Sequence, residues 1–343
     1  MNQIARIQSR ALPPGFSAAR LAALMRRAVS ATELNLSGMT VLTEAASGAY
    51  GVTPVIAALA GAEQVYAFCR ASRYGSVDEV TEWTLQLARA VDVAERITII
   101  EEIPSGVLGR VDIVTNSGHL RPLTAALIES LPATAVIALM FEAWELRASD
   151  IDLEACKRRG IPVVGVNEQH ETIDVFSYLG PLSVRQLHDC GLAVYRNKIA
   201  VACDNGFAAP IARGLGGLGA ETTVFADITN IPAGDWDAVV IALQPGREPR
   251  IGRTEAMHLA DVLPPEAVIV QFWGDMDQDA TRECGLTTWP ARPPAAGHMA
   301  VLLSEIGPEP IVRLQTGGLR AAESVRRGCP ASSESFAQLV QLS

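Results

Sequence analysis

The chain has 343 residues, more than one hydrophobic core comfortably supports, so two domains are expected. It is 49% apolar and 19% charged with a net charge of −10, which describes a globular protein and excludes the basic footprint of a general nucleic-acid surface. The longest apolar runs, such as "ATAVIALMF" (133–141), are about half a membrane span. Neither a nucleic acid nor a membrane is expected as a partner.

The opening stretch "MNQIARIQSRALPPGFSAARLAALMRRAVS" is basic and free of acids, but it lacks the apolar core of a signal peptide. A transit peptide is one reading. The other takes residues 1–36 as an N-terminal helical segment, with Leu21, Leu24 and Met25 at helical spacing. Such a segment has no core of its own and is expected to pack on the other lobe or on a second subunit of a homodimer. Six cysteines (Cys69, Cys156, Cys190, Cys203, Cys284, Cys329) are scattered without a CxxC pair and lie mostly in apolar surroundings. They read as reduced core thiols without a metal framework, which points to the cytoplasm.

From residue 37 on, short β-branched runs alternate with helical patterns. "TVLTEA" (40–45), "QVYAF" (64–68), "ITIIE" (97–101), "VDIVT" (111–115), "AVIALM" (135–140) and "IPVVGV" (161–166) are strands of the nearly continuous apolar kind found in a parallel sheet covered on both faces. Helices are expected near 51–60, 76–92, 120–131 and 150–159, the last with an acidic first turn, basic residues late and Gly160 as its C-cap. These elements make a first Rossmann-like domain over 37–171. Residues 172–197 read as a bridging helix. "KIAVACD" (198–204), "TTVFAD" (222–227), "DAVVIAL" (237–243) and "AVIVQFW" (267–273) start a second Rossmann-like domain over 198–343, completed by C-terminal helices. The fold class is therefore α/β: two doubly wound lobes with mainly parallel sheets and a cleft between them.

The first strand-to-helix turn, "EAASGAYGVTP", offers Gly48 and Gly51 as GxxG, short of the three glycines of a dinucleotide fingerprint. Backbone amides at 48–52 still open a helix, whose positive end suits a phosphate. A plain structural turn is the alternative. At the end of the second strand an acid usually holds a ribose, but here stand Arg70, Ser72 and Arg73. Arginine grips phosphate bidentately, so a dinucleotide bound here is expected to be NADP, with NAD as the alternative.

Open α/β sheets bind ligands outside the carboxyl ends of their strands. "TNSGHLRP" brings Asn116, Ser117, His119 and Arg121 to the fourth strand end. Asn116 reads as a cofactor contact, His119 as a proton shuttle and Arg121 as a carboxylate anchor. "MFEAWE" places Glu142 and Glu145 at the fifth, and "NEQHE" places Glu168 and His170 at the sixth, as further catalytic (Glu142) and substrate-binding (Glu168, His170) candidates. Asp204 and Asn205 open the second lobe's turn "CDNGFAAP" as helix caps. Asp275 and Asp277 would need further oxygens to hold a divalent ion, and no metal site is expected.

"DIDLEACKRRGIPVVGVNEQHE" (150–171) resembles the helix-strand stretch late in the substrate domain of D-2-hydroxyacid dehydrogenases, and "VDIVTNSGHLRPLTAALIESLPATAVIALM" (111–140) is similar to the fourth and fifth strands of many NAD(P)-dependent dehydrogenases. "GAEQVYAFCRAS" and "ARAVDVAERITIIEE" (88–102) resemble class I methyltransferases instead. The dehydrogenase resemblance implies a late acid/base histidine near a helix start, a place His298 occupies, and a GxGxxG turn where this chain has "CDNGFAAP". The reading is an NAD(P)-dependent oxidoreductase acting on a small polar or carboxylated substrate in the interlobe cleft. The alternatives are a non-redox ligand-binding or regulatory protein with a degenerate nucleotide fold, and a methyltransferase-like transferase.

Overall fold

A computed structural model of the chain describes residues 13–329 and 335–342. They form two compact units, one running to Val175 and resuming at Gly307, the other comprising Phe176–Ile306.

The first unit opens with helix α1 (Ala18–Thr32), followed by β1 (Thr40–Glu44), α2 (Val52–Leu59), β2 (Gln64–Phe68), α3 (Val77–Arg89), β3 (Ile97–Ile100), α4 (Ser105–Leu108), β4 (Ile113–Thr115), α5 (Ala125–Glu129), β5 (Val136–Ala138), α6 (Leu153–Arg159) and β6 (Val163–Val166). The local chemistry sets these bounds. Ser76 and Glu79 form a reciprocal capping box at the start of α3, and Asp152 accepts the Ala155 N–H at 2.9 Å to open α6. Gly160 ends α6 with φ of 65°, the left-handed conformation glycine adopts freely.

The second unit holds α7 (Leu179–Asp189), β7 (Lys198–Ala202), α8 (Ala208–Gly217), β8 (Glu221–Phe225), β9 (Ala238–Ala242), α9 (Arg253–Val262), β10 (Val268–Trp273), α10 (Gln278–Glu283) and β11 (Thr287–Trp289). Its five parallel strands run in the order β8-β7-β9-β10-β11. The chain then returns to the first unit with α11 (Glu309–Arg326) and β12 (Ala337–Leu339). The first sheet reads β3-β2-β1-β4-β5-β6, all parallel, with β12 added antiparallel along β6. Both orders are doubly wound.

Two of the expected boundaries need correction. Residues 307 onward belong to the first unit, not the second. Val312, Leu319, Ala321 and Ala322 of α11 enter the first unit's core, and a Cβ added to Gly318 would stand 2.7 Å from the Met140 sulfur, so α11 lies close on this sheet. The expected bridging helix is α7 alone, and Leu179, Leu182 and Leu187 place it in the second unit's core. The N-terminal segment also differs from expectation. Leu21, Leu24 and Met25 are buried, but in the core of the first unit itself, shared with α2 and α11. Residues 1–12 of that segment lie outside the described residues. Among the described residues no helix is long and apolar enough to cross a membrane.

Candidate functional site

In the first sheet the chain travels outward from β1 through β2 to β3, then crosses back to place β4 on the other side of β1. Crossovers leaving a pair of neighbouring strands in opposite directions open a crevice above their carboxyl ends. Thr115 donates a hydrogen bond to Thr43 at 2.8 Å, and its hydroxyl also lies 2.8 Å from that of Ser117. This hydroxyl chain ties the ends of β1 and β4 together and fixes where the following loop begins.

Two polar side chains stand where β1 and β4 end. The β1–β4 register pairs Val41 with Ile113 and Leu42 with Val114, and carried two residues further it sets Glu44 level with Asn116. The Glu44 carboxylate rests on the loop after β4, so close that a Cβ on Gly118 would lie 1.7 Å from Oε2. The His119 main-chain N–H donates to it. Burial raises the Glu44 carboxyl to about 7, against the lowering effects of the His119 N–H and the Arg121 charge. Asn116 is 1% exposed, and neither its side-chain nitrogen nor its oxygen has a hydrogen-bond partner within the protein. Leaving a buried polar group unpaired costs roughly 1–3 kcal/mol.

Beside this pair lies a cavity of about 340 Å³, within the range of small-molecule sites. Phe68 and Arg70 from the end of β2, Glu101 and Glu102 after β3, and His119 and Arg121 after β4 line it. The Arg70 guanidinium lies 5.0 Å over the Phe68 ring, and Arg121 is 3.6 Å from Asp150. The walls thus carry two exposed guanidiniums, one imidazole and two carboxylates. Arg73 and Ser72 lie on the exposed loop beyond Arg70: Arg73 stacks over Tyr74 and donates to its hydroxyl, and Ser72 accepts the Tyr74 N–H.

The turn between β1 and α2 divides its two glycines between two tasks. Gly48 adopts φ of 60° with open space where a Cβ would stand. At Gly51 a Cβ would meet the Ala46 carbonyl at 2.6 Å and the Trp83 ring at 2.9 Å. The Trp83 indole N–H also donates to the Gly48 carbonyl at 2.9 Å. Gly48 therefore offers the open face of the turn, and Gly51 the close packing beneath it.

The remaining candidates lie elsewhere. Glu142 is buried, and its carboxylate accepts from the Glu168 N–H at 3.2 Å, the Trp144 indole and the Gln338 amide. Glu145 accepts the Glu142 N–H at 3.1 Å. Its carboxyl is raised to about 7 by burial, with the Glu142 N–H and the Arg147 charge lowering it and the Glu142 charge raising it. Glu168 is pushed well above the ordinary range by burial, then by the charges of Glu145 and Glu142. Glu142 and Glu168 are buried, and the carboxyl of Glu145, a residue exposed overall, turns in to the Glu142 N–H; the structure brings Glu44, not Glu142, to the loop of His119. His170 stacks on Phe336 at 3.9 Å and accepts the Thr172 N–H. His298, in the second unit, is exposed, with Nδ1 3.0 Å from the Ala296 carbonyl.

In the second unit, the turn after β7 is closed by its own side chains. Asp204 meets Arg250 at 2.7 Å and accepts the Gln244 N–H at 2.9 Å. Burial raises its carboxyl, but the Gln244 N–H, Arg250 and the Asn205 amide together outweigh burial and hold it below the usual range. A carboxylate fixed at that turn repels a pyrophosphate, so these residues do not fit a dinucleotide. Asp275 accepts the Gly297 N–H at 2.9 Å, and Asp277 caps α10.

Glu44 is the residue sequence reasoning passed over. Its signal was an acid closing the buried strand "TVLTE", just ahead of the glycine-bearing turn.

No protein-family model matches the chain, and no curated protein matches its sequence. Solved structures match in fold. A dipicolinate synthase polypeptide from Bacillus halodurans aligns at a TM-score of 0.52 and 13% identity, over 87% of this chain and 100% of that one. Dipicolinate synthase from Bacillus subtilis aligns at 0.51 and 15%, over 86% and 97%. NAD-dependent formate dehydrogenase from Staphylococcus aureus, in complex with NAD, aligns at 0.50 and 13%, also over 86% and 97%. The resemblance to D-2-hydroxyacid dehydrogenases and other NAD(P)-binding Rossmann-fold proteins, read from residues 111–140 and 150–171, thus holds as a likeness of fold across most of the chain.

Proposed function

We propose that the first unit binds a nicotinamide dinucleotide at its carboxyl edge, NADP in preference to NAD, and that the protein is an oxidoreductase for a small polar or carboxylated substrate. The observation that carries this reading is the orphan amide of Asn116, buried at the switch point of a sheet whose strand order suits a dinucleotide. The residues present fit such a group. Gly48 leaves the turn open, Arg70 reaches the cavity as a phosphate grip, and Asn116 supplies a donor and an acceptor. A nicotinamide bound there supplies hydride transfer. The chain supplies the rest: Arg121 anchors a carboxylate, and the His119 imidazole exchanges a proton with the substrate oxygen. Arg73 and Ser72 support the phosphate end of the site.

A second reading is favoured by the Glu101 and Glu102 carboxylates in the same cavity, which suit the amino groups of S-adenosylmethionine. One experiment separates the two. A ligand that binds only the folded chain raises its melting temperature by mass action. NADPH is expected to give the largest shift, NADH a smaller one and S-adenosylmethionine none. A shift with S-adenosylmethionine alone overturns the oxidoreductase reading in favour of the transferase.

A further inference from the structure

The two sheets end differently. In the first unit the chain adds β3 beyond β2, whereas the second sheet stops at β8, and among the described residues no strand lies beyond it. β8 is thus paired on one side only, in a register with β7 that runs unbroken from Glu221 to Phe225. The Glu221 N–H donates to the Asn197 carbonyl and the Phe225 carbonyl accepts from the Cys203 N–H, so the odd-numbered residues of β8 turn their main-chain groups to β7. These groups alternate along a strand, which leaves the N–H and C=O of Thr222 and Val224 directed outward. Edge strands are commonly blunted by proline, lysine or a bulge. The strand "ETTVF" has none of these. Glu221, Thr223 and Val224 are exposed, as are Leu218 and Tyr195 at its start, where the Tyr195 ring rests on Gly219.

We propose that this edge receives a second copy of the same chain, β8 pairing antiparallel with β8 about a two-fold axis at Thr223. The axis sets Thr222 of each copy opposite Val224 of the other, and each such pair exchanges its outward N–H and C=O groups. Charge selects this register over its neighbours, because like charges directly opposite destabilise a pair of strands. An axis at Val224 would set Glu221 against Asp227 of the other copy. An axis at Thr222 would make the two Glu221 carboxylates diagonal neighbours. With the axis at Thr223, Glu221 faces Phe225, and Asp227 comes level with Gly219, whose carbonyl accepts from the exposed, cationic Arg196. The pairing involves the second unit and is independent of the ligand site in the first.

Sedimentation velocity and oxidative cross-linking of the full chain test it. Val224→Pro removes an outward N–H and leaves the bonds to β7 in place. This variant is expected to keep the wild-type circular dichroism spectrum and to raise the dimer dissociation constant at least about tenfold. In an antiparallel pair without hydrogen bonds the Cα atoms lie about 4.5 Å apart, within the roughly 4.4–6.8 Å that a disulfide spans. Thr223→Cys, combined with Cys329→Ser to remove the exposed native thiol, is therefore expected to link two copies under mild oxidation. Glu221→Cys in the same background faces Phe225 and is not expected to link.

A wild-type dimer that dissociates in V224P, and that links through position 223 but not through 221, upholds the pairing. A dimer that survives in V224P, or that fails to link through position 223, overturns it. Should V224P unfold, the cross-link decides alone. A wild-type chain still monomeric at about 100 μM also overturns the proposal, and leaves the edge to an extended segment of another protein.

Discussion

The carboxylate of Glu44 lies on the backbone of Gly118, 1.7 Å from where a Cβ there would stand, so the end of β1 and the loop after β4 are in contact only because residue 118 has no side chain. Gly118→Ala is expected to displace Glu44 and to strain a backbone at φ of 37°. The strain alone costs about 1–3 kcal/mol. Denaturant unfolding would measure it, and adding Glu44→Ala is expected to recover part of the loss, because the clash is with a side chain that can be removed.

Arg70→Ala is expected to weaken NADPH by about 1.5–3 kcal/mol, the size of a charge-assisted hydrogen bond, and to leave NADH nearly unchanged. Arg73→Ala should cost less, since Arg73 is already stacked on Tyr74. Dissociation constants from fluorescence titration distinguish the two. Equal losses for both nucleotides would remove the assignment of Arg70 to a 2′-phosphate.

Asn116→Leu replaces an orphan amide by an apolar group of similar volume. The ligand-free protein is expected to gain about 1 kcal/mol, because the desolvation penalty of the unpaired amide disappears. The shift in melting temperature given by NADPH should be lost in the same variant. A destabilised ligand-free variant would mean that the amide is paired in solution.

The two glycines of the first turn should respond differently. Gly51→Ala drives a Cβ into the Ala46 carbonyl at 2.6 Å, a backbone atom that cannot swing aside, and is expected to cost about 2–3 kcal/mol of stability. Gly48→Ala meets open space and should cost only about 1 kcal/mol, for its left-handed backbone. Its effect should fall on NADPH affinity instead. Thermal unfolding with and without NADPH checks both.

The carboxyls of Glu145 and Glu168 predict the pH dependence of stability. Glu145 and Glu168 hold their protons more tightly in the folded chain than in the unfolded one. Their stabilising effect is therefore full below the ordinary carboxylate range and fades as pH rises, through about 7 for Glu145. The melting temperature should fall between pH 5 and pH 8, and Glu145→Gln or Glu168→Gln should flatten the fall and raise stability at pH 8.

The strands were legible because runs such as "QVYAF" and "DAVVIAL" are apolar at nearly every position, which only a sheet covered on both faces tolerates. β11 and β12 were not, since "TTW" and "AQL" lack the β-branched apolar run that marks β4 and β5. Arg70, His119 and Arg121 could be placed at one edge because polar residues directly after apolar strands mark carboxyl ends. Glu142 and Glu168 obey the same rule yet turn inward, where burial and the Trp144 and Gln338 contacts hold them. Nothing in local sequence separates these outcomes. The return of α11 to the first unit was equally hidden, because it depends on contacts such as Thr53 with Gln315, 262 positions apart.

That return has a consequence for synthesis. Val312, Leu319, Ala321 and Ala322 belong to the core of a unit whose sheet begins at Thr40, yet Phe176–Ile306 leave the ribosome before them. Domains generally fold as units while the chain is being made. Here the later-starting unit has all its residues first, while the earlier one waits with β4, β5 and β6 uncovered on one face until α11 emerges. A nascent chain halted at residue 306 would carry a finished second unit and an unfinished first, and that interval is when the exposed strands most need a chaperone.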